Sequence, residues 1–427
     1  MTRLLVVSHN YPRRSATGAG LFIHRLNRGL AGLGFDVHVL QRTEWTPPWP
    51  LSHISREWRE SRVHRDDLLE ELDGIPIHHP ETVHPRPSRF FDGDIWERQV
   101  RTLVRYVERR PRLARASVVM GHFMVPDGYH AVRLAQHFGL PSCAMAWGDD
   151  VHSWPEGNAG WRTKLRVVLR DCDRLVACSR RLASDGAAWA DHPTSWDTVY
   201  AGTDLEMFHP PTPEERRAAR RLPPFGAIPA DAPVLLMIGQ PVEAKGYIEL
   251  LGAWETVSAS APKWHLVMIG ANWGNVDIVD QITARGLAGR AHWLGSQPAH
   301  TIPQMLRGAD GLVLPSHNEG LSLSVMEAMA TALPVVTTDV GGHGEILRHG
   351  ENGWLIPARD QNALEQALAE LVSRPDLRGA RGAAARRTIE SVGSPNDNAA
   401  RLAEILRELA AGARMRRPAT GAAQGAH

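Results

Sequence analysis

The sequence predicts an α/β protein built of two doubly wound domains that face a cleft. Its 427 residues are too many for one ordinary hydrophobic core, so two domains are expected. Short apolar runs alternate with helical patterns through most of the chain, which is typical of parallel sheets covered by helices on both faces. The two series of runs are separated by a proline-rich stretch at 208–213 and an arginine-rich stretch at 214–222, as expected of a linker.

The apolar runs give the expected strands in chain order. In the first domain they are 4–8, 37–40, 75–78, 118–121, 141–146, 175–178 and 198–200. In the second domain they are 234–238, 265–269, 291–294, 311–314, 334–337 and 354–356. The predicted boundaries are 1–205 for the first domain, 206–385 for the second, 386–410 for a C-terminal helix that packs back on the first domain, and 411–427 for a disordered tail.

Charge and lysine content narrow the possible functions. The formal net charge of +1 gives no reason to expect a nucleic-acid partner. Of the 48 basic residues only three are lysines, so a lysine that falls in a motif stands out. They are Lys164, Lys245 and Lys263.

The cysteines and the N-terminal segment indicate the compartment. Cys143, Cys172 and Cys178 match no zinc spacing and are expected to be buried free thiols in a reducing cytosol. The apolar run near the N-terminus suits a first strand and is too short for a signal peptide or a membrane span. We therefore expect a cytoplasmic protein. The tryptophans and arginines of 44–65 are compatible with peripheral association at the inner face of a membrane.

The segment 317–330 is the strongest candidate for a ligand site. It follows the apolar run 311–315 and holds Glu319 and Glu327, with a series of helix formers from about Ser324. A helix that begins at the carboxyl edge of a parallel sheet favours an anionic group such as a phosphate. A carboxylate there can accept hydrogen bonds from adjacent sugar hydroxyls. The pattern therefore indicates a nucleotide-sugar site.

The alternative for the same residues is purely structural. Ser324-Val-Met-Glu327 fits the capping-box pattern, in which Glu327 would only close its own helix. That interpretation gives no role to Glu319 or Gly320. On these residues alone both interpretations stay open.

The order of the motifs over about residues 1–410 resembles the retaining GT-B glycosyltransferases of family 4. The surroundings of Glu319 and Glu327 resemble the family's E-x7-E signature, and 238–246, which contains Lys245, resembles its strand–GR–x–KG loop. Other segments that resemble the family are 11–22, 122–128, 147–150, 200–210, 309–310 and 352–355. The resemblance implies the GT-B fold, with two Rossmann-like domains.

The resemblance also implies an activity and its residues. It implies transfer of a sugar from a nucleoside-diphosphate-sugar to a hydroxyl acceptor, with no cofactor and no metal. The implied catalytic residues are His122, Lys245 and Glu319. The implied donor-binding residues are Gly18, Gly20, Gln240, Lys245, Glu319, Gly320, Leu321, Ser322, Leu323 and Glu327. Glu327 would bind the ribose, Glu319 the sugar hydroxyls and Lys245 the departing diphosphate.

Two positions depart from the family's pattern. Gln240 stands where the family usually has arginine, so it can donate a hydrogen bond but carries no charge. Stabilisation of the leaving group would then depend more on Lys245. Trp147 stands where many relatives have histidine or arginine, which removes a charge and adds a stacking surface.

Alternatives exist for the first-domain motifs as well. Gly18-Ala-Gly20 suggests a dinucleotide fingerprint, but Ile23 occupies the third glycine position and the second strand ends without an acid, so a nicotinamide enzyme is not expected. His122 could be a packed histidine at a strand end rather than a donor-site residue. Asp149 and Asp150 would point to opposite faces of an extended segment, and we assign no metal there.

Other functions share this fold or its surface. A phosphorylase would need a cofactor-bearing lysine late in the second domain, where the sequence has none. A nucleotide-sugar epimerase and a catalytically silent partner of another transferase remain alternatives, and Gln240 favours the second of these. The acceptor could be a glycan, a lipid-linked molecule or a small molecule, with the loop around Trp45 and Trp58 expected to bind it.

Overall fold

The computed structural model describes residues 1–14, 18–45, 65–83, 95–222, 225–271 and 277–416. The chain forms two compact units. The first comprises Met1–Ala177, Ala183–Val199 and the chain from Asn398 onward. The second comprises Cys178–Leu182 and Tyr200–Asp397.

The first unit is built on an eight-stranded sheet with a separate two-stranded pair. Its strands are β1 (Thr2–Val7), β2 (Phe35–Leu40), β3 (Thr43–Trp45), β4 (Glu71–Leu72), β5 (Ile75–His78), β6 (Glu81–Val83), β7 (Val118–His122), β8 (Ser142–Ala146), β9 (Arg174–Ala177) and β10 (Trp196–Thr198). The sheet order is β10-β9-β8-β7-β1-β2-β5-β4, and all neighbours are parallel except β4 and β5. Strands β3 and β6 form the parallel pair.

Helices connect these strands. They are Leu21–Gly32, Ile95–Glu108, Pro111–Ala114, Tyr129–Phe138, Ser153–Gly157, Ala159–Asp171, Arg180–Ala187 and Pro395–Arg416. The last helix is held on the first unit from Asn398 onward, where the Arg407 guanidinium donates to the Leu33 carbonyl at 2.9 Å. Glu408 pairs with Arg174 at 2.7 Å.

The second unit contains a six-stranded, fully parallel sheet. Its strands are β11 (Val234–Ile238), β12 (His265–Ile269), β13 (Ala291–Trp293), β14 (Gly311–Leu314), β15 (Val335–Thr338) and β16 (Trp354–Ile356), in the order β13-β12-β11-β14-β15-β16. Its helices are Pro213–Arg220, Tyr247–Ser260, Ile278–Ala284, Ile302–Gly308, Leu323–Ala330, His343–Ile346, Gln361–Ser373 and Pro375–Val392.

The predicted α/β class with two doubly wound units is confirmed. Central strands such as β11 and β14 are buried on both faces, as continuous apolar runs in parallel sheets should be. In each sheet the strands that follow the first one are added on one side of it, and later strands are added on its other side. The resulting topological switch points lie between β1 and β7 and between β11 and β14. Ligands of open α/β sheets bind at the carboxyl ends of such strands.

The linker expected at 214–222 is wrong, because most of it is helical. Thr212 and Glu215 form a capping box at the start of Pro213–Arg220, with proline in the first turn. Arg216 then pairs with Asp310 at 2.6 Å, which ties this helix to the second unit. The high arginine content had suggested a connector, although the sequence carries this strong helix-start signal.

Most predicted strands have bounds within one or two residues of the observed ones. The short strands β3, β4 and β6 were not predicted, because two or three residues carry too little periodicity. The C-terminal helix continues to Arg416, into the segment expected to be disordered. Residues 417–427 lie outside the described part of the chain, as do residues 46–64 of the predicted acceptor loop.

Two further expectations can be compared with the structure. The three cysteines are free thiols, with Cys143 and Cys178 buried and Cys172 half-buried. Burial raises the pKa of the Cys172 thiol to about 12, so it is an inert thiol. Among the described residues, no helix is both long enough and apolar enough to cross a membrane.

Candidate functional site

Three loops meet at the carboxyl edge of the second sheet. They follow β11, β14 and β15, the strands at and beside the switch point. The His317 amide donates to the Ala244 carbonyl at 2.7 Å, which joins the first loop to the second. The Gly342 amide donates to the Gly320 carbonyl at 2.7 Å, which joins the second loop to the third.

Glycines allow these loops to approach each other closely. Gly246 has φ +68°, and a Cβ there would lie 2.1 Å from the Pro315 carbonyl oxygen. Gly341 has φ +51°, and a Cβ there would lie 2.0 Å from the Glu319 carbonyl oxygen. Only glycine suits both this backbone conformation and this spacing. The loops that carry Lys245 and Glu319 are therefore held in contact by the backbone itself.

Lys245 and Glu319, two of the predicted catalytic residues, form an ion pair. Lys245 Nζ lies 2.7 Å from Glu319 Oε1, and the Ser316 hydroxyl donates to the same oxygen at 2.8 Å. The side chains are 24% and 10% exposed, so the pair is accessible from one side. Burial alone would raise the pKa of Glu319, but the Lys245 charge and the hydrogen bonds from Lys245 and Ser316 outweigh it and lower that pKa. Glu319 is thus held ionised beside a cation.

His343 is a buried neighbour of this pair that the sequence analysis did not identify. Thr337 Oγ1 donates to the Leu314 carbonyl, so it accepts from His343 Nδ1 at 3.1 Å, and the Thr338 carbonyl accepts from the same nitrogen at 3.0 Å. Burial lowers the pKa of His343, which keeps the ring neutral. Its Nε2 therefore carries a lone pair, and the atom has no hydrogen-bond partner among the described residues.

The helix Leu323–Ala330 begins beside the ion pair. Its N-cap is Ser322, whose side chain makes no capping bond, and the Ser324 hydroxyl donates to the Ile238 carbonyl at 3.3 Å. The capping-box interpretation is therefore wrong, since Glu327 lies in the second turn. Leu323, Ser324 and Glu327 are half-buried while most other residues of the helix are buried, so Glu327 lies on its more open side.

The other predicted residues of the second unit lie around the same edge. Gln240 directly follows Gly239 after β11 and is exposed. Gly320, Leu321 and Ser322 are buried and lead into the helix. The first amides of a helix lack intrahelical partners, so this turn presents N–H groups and the positive end of the helix dipole. The structure thus gathers every residue predicted for the second-domain donor site into one edge of one sheet.

In the first unit, His122 ends β7 and is fully buried. Trp147 Nε1 donates to His122 Nδ1 at 3.3 Å, and the two rings stack with centroids 5.8 Å apart. Because Nδ1 accepts this bond, Nε2 carries the proton, and it has no partner among the described residues. Burial lowers the pKa of His122 to about 3, so the ring is a neutral donor. The Trp147 ring, which was expected to offer a stacking surface, thus stacks on His122.

Asp150 organises the loop that carries Trp147. Its two carboxylate oxygens accept from the backbone amides of Met124, Trp147 and Gly148 at 2.7, 3.1 and 2.8 Å. Asp149 is exposed and accepts from the Ser153 hydroxyl. The two adjacent carboxylates therefore point apart, as predicted. Within the described ranges, no group of three or more His, Cys, Asp or Glu side chains is arranged to hold a metal ion.

The predicted glycine loop precedes the first helix of the first unit. Gly20 has φ +64° and is the N-cap of Leu21–Gly32, and a Cβ there would lie 2.1 Å from the Asn10 carbonyl oxygen. Gly18 is exposed two residues earlier. Close backbone packing thus accounts for Gly20, and donor contact by either glycine remains a prediction.

Sequence reasoning missed three residues of the second-unit site. Ser316 and His343 contact or face Glu319, and the Ser179 hydroxyl donates to the Gly320 carbonyl at 3.1 Å. Ser316 and His343 follow β14 and β15, so their positions after buried strands could have identified them. Ser179 lies more than a hundred residues away in the chain, and no local pattern connects it to Gly320.

Comparisons with known proteins agree with this geometry. A family model described as Glycosyltransferase Family 4 matches residues 16–207, and one described as Glycosyl transferases group 1 matches residues 220–388. The chain is 25% identical over 376 residues to TuaC, a Bacillus subtilis protein of teichuronic acid biosynthesis, covering 87% of this chain and 88% of that protein.

Solved structures show the same fold. Sucrose-phosphate synthase from Thermosynechococcus elongatus superposes with a TM-score of 0.76 at 20% identity, covering 96% of this chain and 100% of that one. Anabaena HepE in complex with UDP-glucose gives a TM-score of 0.71 at 17% identity, with the same coverage. Because the two family models together match most of both units, this chain belongs to the GT-B glycosyltransferases of family 4.

Proposed function

We propose that this glycosyltransferase moves a sugar from a nucleoside-diphosphate-sugar to a hydroxyl acceptor, with the donor bound at the switch point of the second unit. The observation that carries this proposal is the Lys245–Glu319 pair beside the start of Leu323–Ala330. A cation and a helix N-terminus suit a diphosphate, and an ionised carboxylate suits hydroxyls. The complex of HepE with UDP-glucose supports the same donor class.

Each side chain then has a distinct task. Lys245 and the amides from Gly320 to Leu323 hold the diphosphate and stabilise its charge as it departs, which is the interaction that lowers the barrier most. Glu319 accepts hydrogen bonds from the transferred sugar. Both of its hydrogen bonds to described residues use Oε1, so Oε2 can accept sugar hydroxyls. Glu327 accepts the ribose hydroxyls from the open side of the helix.

The proposed chemistry proceeds with retention and without a metal. The resemblance of 309–355 to the family's signature region supports attack on the sugar face that the diphosphate leaves. Glu319 is occupied by Lys245 and Ser316, which suits a binding role better than a nucleophilic one. Lys245 and the helix dipole supply the positive charge that a divalent cation would otherwise supply. The first unit is the proposed acceptor domain.

A thermal-shift screen tests the donor assignment. Purified protein is heated with UDP, GDP, ADP, dTDP and their common sugars, and one nucleotide series should raise the melting temperature. A matched pair of variants, Lys245→Ala and the exposed Lys263→Ala, locates the effect: only the first should reduce it. Absence of a shift with every compound, or an equal loss in both variants, contradicts the proposal.

Turnover separates this enzyme from its rivals. The stabilising donor is incubated with hydroxyl compounds, and the anomeric configuration of any product is read by NMR. Transfer with the donor's configuration preserved supports the proposal. Binding without release of the nucleoside diphosphate would instead identify a silent partner, and conversion of the sugar on the intact donor would identify an epimerase.

A further inference from the structure

A histidine–carboxylate pair lies at the switch point of the first sheet. His9 follows β1 by two residues, and Asp127 lies in the turn Met124–Gly128 after β7. Asp127 Oδ2 accepts from His9 Nδ1 at 2.8 Å and from the His9 backbone amide at 3.0 Å. Since β1 and β7 are paired up to Val7 and Gly121, the two strand ends emerge side by side.

The pair fixes which nitrogen of the ring can accept a hydrogen bond. Asp127 is fully buried, and its other oxygen has no partner among the described residues, so His9 takes all the hydrogen bonds that the structure gives this carboxylate. Burying a carboxylate is costly unless it is paired. An ionised carboxylate only accepts, so Nδ1 of His9 is the donor in this bond, and in the neutral ring Nε2 then presents a lone pair. This arrangement orients an imidazole as an acceptor.

The ring is open on one side. The His9 side chain is 30% exposed, and within the described residues Nε2 has no hydrogen-bond partner. Phe123 and Trp154 flank the imidazole, with ring centroids 5.1 and 6.2 Å away. The 30% exposure of the side chain leaves part of the ring accessible to solvent beside these two aromatic rings.

Two other histidine–carboxylate pairs of this unit, those of His24 and His137, lack that combination. His24 uses one ring nitrogen on Tyr11 and the other on Asp73, and its side chain is buried. His137 pairs with Glu108 at 3.0 Å, but both side chains are about half exposed on helices. His9 alone among these three is oriented by a buried acid, half open, and placed at the carboxyl edge of the sheet.

We infer that His9 Nε2 accepts the hydrogen bond of the acceptor's hydroxyl group, with Asp127 as the positioning residue that holds the ring in this tautomer. The inference rests on the proposed function, since the reaction needs a hydroxyl oriented for attack on the sugar. On the neighbouring strand end, His122 is fully buried, so His9 is the partly exposed imidazole at this switch point. Orientation of a reacting group is worth a large factor in rate.

Four variants test the inference. His9→Phe keeps an aromatic ring against Phe123 and Trp154 but removes the acceptor atom. His9→Gln keeps an oxygen that can accept. Asp127→Asn leaves His9 in place and removes the charge that selects its tautomer. His137→Phe is the matched control, because it breaks a histidine–carboxylate pair on the surface of the same unit.

The assay follows release of the nucleoside diphosphate from the donor that the thermal-shift screen identifies. Methyl glucosides, methyl mannosides and myo-inositol serve as hydroxyl probes, and water alone serves as the simplest acceptor. We expect His9→Phe and Asp127→Asn to lower kcat/KM for the probe about tenfold or more, and His9→Gln to lower it less. The donor Kd should not change in any variant.

The outcomes separate this inference from the proposed function. Folded His9→Phe with a release rate within twofold of the wild type would overturn the inference and leave the proposed function intact. A wild-type protein that binds no donor, or binds it without release, would overturn the proposed function and the inference with it. Equal losses in His9→Phe and the His137→Phe control would show a general loss of stability and would also overturn the specific role.

Discussion

The two sheets share a switch-point topology but end in opposite chemistry. In the second unit, β11 and β14 lead to Lys245 and Glu319, an ion pair that stays charged. In the first unit, β7 leads to His122, a buried imidazole that stays neutral. The same kind of sheet edge therefore carries a charged pair in one unit and a neutral, buried imidazole in the other, and the residues that follow the strands decide which.

Burial acts on both sites, and neighbouring charge makes the difference. Burial alone would raise the pKa of Glu319, but Lys245 and its other partners lower it instead. No charge offsets the burial of His122, whose pKa falls to about 3. The two sites therefore differ in that a neighbouring cation offsets the burial of Glu319 and nothing described offsets the burial of His122. Substitutions at Lys245 and at His122 test the two sites separately.

The largest effect is expected on the charged side. Lys245→Ala should lower kcat by about 10²–10³-fold, the scale for losing one group that stabilises developing charge. Its melting temperature is measured in parallel, because this change leaves the mostly buried Glu319 carboxylate without its ion-pair partner. Lys263→Ala, an exposed lysine of the same unit, is the control and should retain full turnover. A near-normal kcat in Lys245→Ala would contradict the proposed role of the charged pair at the edge of the second sheet.

Glu327→Ala should have a smaller effect, on donor affinity. Loss of hydrogen bonds to a charged group weakens binding by about 1–3 kcal/mol. Calorimetric titration with the donor measures this, with the exposed Glu351→Ala as control. The melting temperature is measured in parallel, and affinity should fall by more than any loss of stability explains. A lowered melting temperature with unchanged donor affinity would contradict the assignment of Glu327 to the donor site.

The third effect is on stability and concerns the buried, neutral His122. The unfolded chain protonates His122 near pH 6.5, whereas the folded protein resists protonation down to about pH 3. Stability should therefore fall as the pH decreases between these values, by at most ~1.4 kcal/mol per pH unit from this residue. His122→Asn should make that fall shallower in urea unfolding at pH 7, 5.5 and 4.5. Equal slopes in the variant and the wild type would contradict the neutral assignment.

Local patterns predicted which second-unit residues lie together better than they predicted the contacts of the first unit. Lys245 and Glu319 each follow a long apolar run in a glycine-containing loop, so sequence order alone places them at one sheet edge. His9 and Asp127 lie 118 positions apart, and only the pairing of β1 with β7 brings them together. The hydrophobic periodicity of either segment gives no information about this contact.

Two segments show where local patterns compete. Ser324 and Glu327 have capping-box spacing, which left a structural alternative open, but the N-cap is Ser322, so the pattern lies two residues too late. At Thr212 and Glu215 a true capping box was interpreted as part of a linker. The same spacing is thus present without a capping box in one place and with one in the other. The two cases differ in where the helix starts, which the spacing alone does not give.

The central claim is that Lys245 and the helix N-terminus, rather than a divalent cation, neutralise the diphosphate. The most direct test is calorimetric titration of the preferred nucleoside diphosphate into wild-type protein in excess EDTA, repeated with magnesium or manganese and with Lys245→Ala. We predict that the wild type binds in EDTA with an affinity that either metal changes little, and that Lys245→Ala binds more weakly under every condition. Binding that vanishes in EDTA and returns with manganese, or that is unaffected by Lys245→Ala, would contradict the claim.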